Sequence, residues 1–264
     1  MKTLTGYGGR ILPPVLCAVL FLGLWYWIKA ALNLHDLILP APHQVLAAFD
    51  EEYGTLLPAT LTTFLGAGIG FIASVVVGFL LSLALASSRW LRRGFYPFII
   101  FMQMTPVIAT AAIVVILFGV GLQSVALIAF LIGFFPIVAS TLQGLLSVPE
   151  GQLEMFRLYR ASRWQELLLL RVPNSLPYFF TGLKIAATLA VIGSVTGEIF
   201  AGSSDGSGGL GYMIMIYKSE LKVAAIYAAT LVCCLLGFLF VSLVLFLRHT
   251  ALRHWHESAL PGKE

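Results

Sequence analysis

The chain has 264 residues, 59% of them hydrophobic and 11% charged, with a mean hydropathy of +0.94. Such a composition excludes a water-soluble globular domain and describes an integral membrane protein, all α-helical and with short loops. The formal net charge of +4 then carries no argument for nucleic acid, because basic residues in membrane proteins gather in cytoplasmic loops.

An apolar run over residues 11–30 follows Lys2 and Arg10. It is long for the core of a secretory signal, and WYWIKAAL is a poor cleavage site, so it reads as a retained membrane helix. The next span covers 59–86. Along it Gly66, Gly70, Ser74, Gly78, Ser82 and Ala86 recur every four positions, and a face of small side chains lets membrane helices approach closely. The stripe reads as packing within the chain, with a subunit interface as the alternative. Phe64, Phe71 and Phe79 fall mainly elsewhere on this helix, toward lipid or a groove.

No charged side chain lies between Arg93 and Glu150. As helix this stretch would be about 84 Å long, against a hydrocarbon core of about 30 Å. It therefore crosses twice, near 95–118 and 124–146, with its turn at GVGLQS. Pro106 and Pro136 lie inside these two spans and are expected to kink them.

Seven charged residues then run from Glu150 to Arg171. At mid-membrane their summed penalty would approach about 20 kcal/mol, so the segment 148–172 stays in water. Leu153, Phe156 and Tyr159 repeat at a spacing of three, and Ser162 with Gln165 three residues on forms a capping-box pattern. Two short helices meeting at Ala161 and Ser162 fit this. With Phe156 and Tyr159 exposed, such a basic pair suits docking on a protein surface. The alternative is a loop that only orients the chain in the bilayer.

The fifth span, 175–199, carries Lys184 and Glu198, fourteen residues apart or about 21 Å along a helix, too far for a direct ion pair. Two readings stand for each: snorkelling or structural pairing, and a gate or cavity role, since charges inside a span face the bundle interior or water. Gln103, Thr105 and Ser194 are weaker path candidates, for which helix–helix hydrogen bonding is the commoner explanation. Gly206, Gly208 and Gly211 fit a G-x-G-x-x-G spacing, but no strand precedes them, and the stretch reads as a flexible external turn rather than a dinucleotide site. The sixth span covers 223–247. Cys17, Cys233 and Cys234 sit in apolar runs as small fillers. His249, His254 and His256 match no strong metal-ligand pattern, and the tail reads as interfacial, anchored by Trp255.

Counting Lys and Arg sets the orientation. Lys2, Arg10, Arg89, Arg92, Arg93, Arg157, Arg160, Arg163, Arg171, Arg248, Arg253 and Lys263 fall on one side, and Lys29, Lys218 and Lys222 on the other. Both termini are therefore expected in the cytoplasm, and residues 1–264 are read as one transmembrane domain.

The stretch EMFRLYRAS followed by RVPNSLP resembles the E-A-A-x-x-x-G loop, with its downstream L-P, of bacterial ABC-importer inner-membrane permeases. The resemblance continues through LPAPHQVLAAF, SSRWLRRGFYPFI, ILFGVGLQS, LPYFFTGLKIA and GLGYMI. It is nearest to the nitrate, sulfonate and taurine group, including the branch for thiamine-pyrimidine precursors and riboflavin, to which RLYRAS points. Carried over, Glu154 takes the motif's acidic place, Met155 and Phe156 replace its alanines, and Arg160 stands where the motif has glycine. That last change puts the local bend in question, because arginine largely lacks glycine's conformational freedom.

The resemblance implies that Glu154, Phe156, Arg157, Tyr159, Arg160, Ala161, Ser162 and Arg163 couple the permease to a cytoplasmic ABC ATPase. It also implies a periplasmic or extracellular solute-binding protein and a second permease subunit, a homodimer by preference. No catalytic residue, metal site or directly bound cofactor is expected. ATP acts through the partner, since the chain carries no G-x-x-x-x-G-K-[ST] phosphate loop. An ion-coupled secondary transporter is the competing class, but Glu198 is the one evident carboxylate in the spans.

Overall fold

A computed structural model describes residues 8–202 and 208–252. Lys2, Gly206, Arg253, His254, Trp255, His256 and Lys263 lie outside the described residues. Among those described, the regular structure is all helical: α1 Gly8–Ala31, α2 Pro42–Glu51, α3 Tyr53–Ser87, α4 Arg89–Gln103, α5 Val107–Phe118, α6 Leu122–Leu146, α7 Glu150–Leu158 and α8 Arg163–Gln165. A π-helical segment, Glu166–Arg171, carries α8 into α9 Val172–Ala201, followed by α10 Leu210–Ser219 and α11 Val223–Leu252. A helix satisfies its own backbone within one segment, which lets it span a membrane, because lipid offers no partner to an unpaired backbone amide or carbonyl.

Five of these stretches are long and apolar enough to cross a membrane: Leu12–Ala31, Tyr53–Ser87, Leu122–Leu146, Arg163–Ala201 and Val223–Ala251. The span read as one helix over 95–118 is instead a pair, α4 and α5, bent by 101°. Pro106 explains the break. It has no amide to donate, constrains the residue before it, and sits at ψ 123° outside helical geometry. Pro136, expected to kink its span, leaves α6 an unbroken helix. The turn between α5 and α6 falls where GVGLQS places it, with Gly119 at φ +83° and Gly121 at φ +120°, backbone that glycine adopts without strain. Ser124 Oγ closes it by donating to the Gly119 carbonyl at 2.5 Å.

The chain forms two compact units, Met1–Leu57 with Met213–Leu231, and Pro58–Tyr212 with Val232–Glu264. In the first, Trp25 Nε1 donates to the Pro40 carbonyl at 3.1 Å. Lys29 pairs with Asp36, and Gln44 Nε2 donates to the same carboxylate at 2.8 Å. Glu52 gathers Lys222 Nζ at 2.8 Å and the Tyr217 hydroxyl at 3.2 Å, while that hydroxyl lies 2.9 Å from Thr55 Oγ1.

In the second unit α3, α6 and α9 pack against one another, each touching the other two. The small stripe of α3 packs on α6 within the chain. A Cβ at Gly70 would lie 2.6 Å from the Ala126 carbonyl oxygen and from Ala129 Cβ. Ser74 Oγ donates to the Phe130 carbonyl at 2.8 Å, and Ser82 Oγ to that of Val138 at 3.3 Å. From α9 a Cβ at Gly193 would lie 2.8 Å from Ala129 Cα, and one at Gly182 3.0 Å from the Pro136 carbonyl oxygen. Close approach through small residues supplies the dispersion contact that holds helices together where water provides no drive. Phe64 and Phe71 meet Phe240 of α11, and Phe79 meets Phe179 of α9, so these rings pack on neighbouring helices rather than facing lipid alone.

Candidate functional site

The charged segment is a short helix, a reversal and a second helical start. Glu150 opens α7 and Arg157 lies in its last turn, the charge order that suits a helix dipole. Arg160 adopts φ +52°. The amide of Ala161 donates to the Phe156 carbonyl at 2.9 Å and that of Arg160 to Arg157 at 2.9 Å, the two crossed bonds of a Schellman ending. The bend survives without its glycine, because the pair of bonds holds arginine in the left-handed region. Ser162 then caps α8: its amide donates to Gln165 Oε1 at 2.7 Å and its hydroxyl accepts from the Gln165 amide at 3.2 Å.

The base of the segment is clamped. Arg171 donates to Glu166 Oε1 through Nε at 2.8 Å and Nη2 at 2.5 Å, and through Nη1 to the Leu145 carbonyl at 3.1 Å. Asn174 Nδ2 donates to the Gly144 carbonyl at 3.0 Å. These bonds satisfy carbonyls that the end of α6 leaves without helical partners. The tip is open: Leu158 is 82% exposed, Tyr159 83% and Trp164 70%. Glu154, Arg157, Arg160, Ser162 and Arg163 are exposed as well. Phe156, expected on the surface, is half-buried with Leu153 and Ala161. Of the spacing of three that singled it out, Leu153 and Phe156 turn inward while Tyr159, past the last residue of α7, is exposed, and the out-of-phase Met155 and Leu158 are exposed apolar residues that this spacing overlooks.

Within the spans, Glu198 is buried between α3, α9 and the start of α10. It accepts from Thr63 Oγ1 at 3.0 Å, Ser194 Oγ at 3.2 Å and the Gly211 amide at 2.8 Å. The Leu210 amide donates to Thr63 Oγ1 at 2.8 Å. A carboxylate thus sits at the N-terminus of α10, where the helix dipole favours negative charge. A Cβ on Gly209 would fall on the Glu198 carboxyl group, and one on Gly211 on the Val195 carbonyl. Gly209 and Gly211 are therefore packed close to this group, and Gly208 against the Tyr212 ring. Ser194 is tied into the same network through the Thr63 carbonyl at 3.2 Å, the helix–helix bonding expected of it.

Lys184 is exposed on the face of α9 turned away from α6, together with Thr181 and Thr188. Gln103 and Thr105 are exposed at the α4–α5 break. The structure thus brings Ser194 and Glu198 together and keeps Lys184 apart from them. Among the described residues no group of three or more His, Cys, Asp or Glu side chains is placed to hold a metal ion.

Apolar spans packed through glycines, with one charged and water-exposed segment between the two most tightly packed helices, define a multi-pass membrane permease. The chain belongs to the family of binding-protein-dependent transport system inner membrane components, whose sequence pattern matches residues 74–254. It is 34% identical to the formylaminopyrimidine transport permease of Halalkalibacterium halodurans over 87% of this chain and 90% of that one. It is also 34% identical to the riboflavin transport system permease of Chloroflexus aurantiacus, over 73% and 71%. Nitrate and taurine permeases match at 28% and 30% identity. The fold is shared with an inward-facing form of the MetNI methionine ABC transporter, at a TM-score of 0.63 and 18% identity over 78% of this chain and 99% of that one. The protein is the permease subunit of an ABC importer.

Proposed function

We propose that two copies of this chain, each a single permease domain, surround one path in the bacterial inner membrane with both termini cytoplasmic. A separate cytoplasmic ATPase drives them, and an external solute-binding protein delivers the cargo. The observation that carries this is the exposed, basic tip of the segment 150–171 on an otherwise apolar chain. Leu158, Tyr159 and Trp164 offer apolar contact ringed by Arg157, Arg160 and Arg163, the mixture that anchors protein interfaces. The clamp of Arg171 and Asn174 on the end of α6 passes a displacement of the tip to the α6–α9 pair. ATP does work through its different affinity for two conformations of the ATPases, and alternating access follows. Gln103, Thr105, Lys184, Ser194 and Glu198 are the proposed path and gate residues.

The cargo we favour is a thiamine-pyrimidine precursor or riboflavin, supported by the two relatives at 34% identity. Nitrate, sulfonate or taurine is the alternative, supported by the more distant relatives. Purification of the chain from its native membrane should bring an ATPase with it. The Arg157→Glu, Arg160→Glu double variant should keep ATP hydrolysis while losing uptake of labelled formylaminopyrimidine and riboflavin. Uptake at the wild-type rate in that variant counts against the coupling role, and uptake of taurine or nitrate in place of the heterocycles selects the alternative cargo.

A further inference from the structure

α6 and α9 run antiparallel in a register that fixes the depth of Lys184. Gly133 of α6 lies against the Ala186 carbonyl, and Gly182 of α9 lies against Pro136 and Ile137. Lys184 falls between these two contacts, level with residues near 135 of a helix that runs Leu122–Leu146. That is about 15 Å from the nearer end of α6, farther than a lysine stem can snorkel. α3 gives the same depth, because Ser74, near the middle of Tyr53–Ser87, touches Gly133.

Among the described residues Lys184 has neither an ion pair nor a hydrogen bond to its ammonium. Thr181 and Thr188 stand one turn away on either side, on the same exposed face. A face with a lysine and two hydroxyl residues near the bilayer centre is expensive against lipid and ordinary against water. The α4–α5 break lies at a similar depth: Ala111 and Val114 of α5 pack with Ile128, and the antiparallel hairpin continues from there to place Gln103–Pro106 level with the middle of α6. α5 also packs on α9, so the exposed Gln103 and Thr105 share a depth with Lys184 on adjoining helices.

We propose that the Thr181, Lys184 and Thr188 face of α9 lines the aqueous path at its midpoint, and that Lys184 selects there against cationic solutes in favour of anions and neutral, acceptor-rich ones. This rests on the two-copy importer reading, in which a water-filled path runs between subunits. The ammonium is a hydrogen-bond donor at this depth, suited to ring nitrogens, carbonyls and oxyanions, and it repels a solute of fixed positive charge, while the Thr181 hydroxyl, which donates to the Pro177 carbonyl at 2.9 Å, offers its oxygen as an acceptor.

The test uses the complex purified with its ATPase, with Cys17, Cys233 and Cys234 replaced by alanine and a single cysteine introduced as Thr188→Cys. Two water-soluble thiol reagents of similar size, an anionic ethylsulfonate and a cationic trimethylammonium methanethiosulfonate, should both label it. The anionic reagent should be favoured by about fivefold, the factor expected from one unit charge a helical turn away in water-like surroundings. Lys184→Gln should abolish the preference and Lys184→Arg should restore it. A cysteine reached by a membrane-soluble maleimide and by neither charged reagent faces lipid and overturns the proposal, as does a preference that survives Lys184→Gln. Thr181→Cys gives a second reading should Thr188→Cys fail to assemble. Loss of the ATPase on purification would instead count against the proposed assembly of two copies with a separate ATPase, before any labelling is done.

Discussion

Arg160 occupies a backbone conformation that disfavours every residue with a side chain by roughly 1–2 kcal/mol. Asn33 and Leu221 share it, each at the end of a helix closed by the same crossed pair of bonds. Substitution Arg160→Gly should therefore raise thermal stability by about 1 kcal/mol, while Arg160→Val, branched at Cβ, should lower it. Because the glycine variant keeps the bend and removes the charge, its uptake rate separates the two contributions of this position. Glu198 is the second residue whose surroundings dictate an outcome. Glu198→Ala leaves the Gly211 amide without its acceptor and turns the Thr63 and Ser194 hydroxyls back to the Ala59 and Thr63 carbonyls, at a cost of about 1–3 kcal/mol. Gly209→Ala drives a methyl into the same carboxyl group and should also destabilise. Combined, the two should cost less than their sum, since removing the carboxylate makes room for the methyl. A melting series of the four proteins reads this directly, and strict additivity would contradict the packed geometry.

Helix ends decide more here than helix interiors. The corner between α2 and α3 is tied to the corner between α10 and α11 through Glu52, Tyr217 and Lys222. The Lys222 ammonium holds the Glu52 carboxyl below its ordinary value of 4.5, against the opposing effect of burial and helped by Thr55 and Tyr217. A carboxyl whose folded pKa is depressed stabilises the fold above its unfolded value and loses that contribution as pH falls through the folded one. Amide exchange at residues 52–55 and 222 should accordingly quicken as pH falls below about 4.5, after correction for the intrinsic rate. Lys222→Met should flatten that dependence. The elements themselves were largely legible in the sequence. Charge-free length between Arg93 and Glu150 called for two apolar stretches, of which Leu122–Leu146 is a single helix long enough to cross, and the capping pattern at Ser162 placed the start of α8. The α4–α5 break was not, because hydropathy sums composition over a window while a break depends on the one amide that Pro106 lacks. Phe156 was misplaced for a related reason, since a repeat of three identifies a helical face without saying which way it turns.

At the scale of the whole chain, the candidate residues divide by how local their environment is. The segment 150–171 could be read from sequence because its charges lie close together along the chain and most of its charged side chains are exposed. Glu198 could be found but not interpreted, since Thr63 stands 135 residues away and no local pattern announces it. The depth of Lys184 likewise needs three helices in register. One consequence of the Arg171 and Asn174 clamp reaches the energetics of the complete transporter. Under the proposed coupling to an ATPase, a linkage anchored to the α6 carbonyls at two points has little slack, so nearly every turnover of that partner should be matched by a passage of cargo. Loosening it with Arg171→Lys or Asn174→Ala should appear as futile cycling, with more ATP hydrolysed per molecule imported even where hydrolysis itself is unchanged.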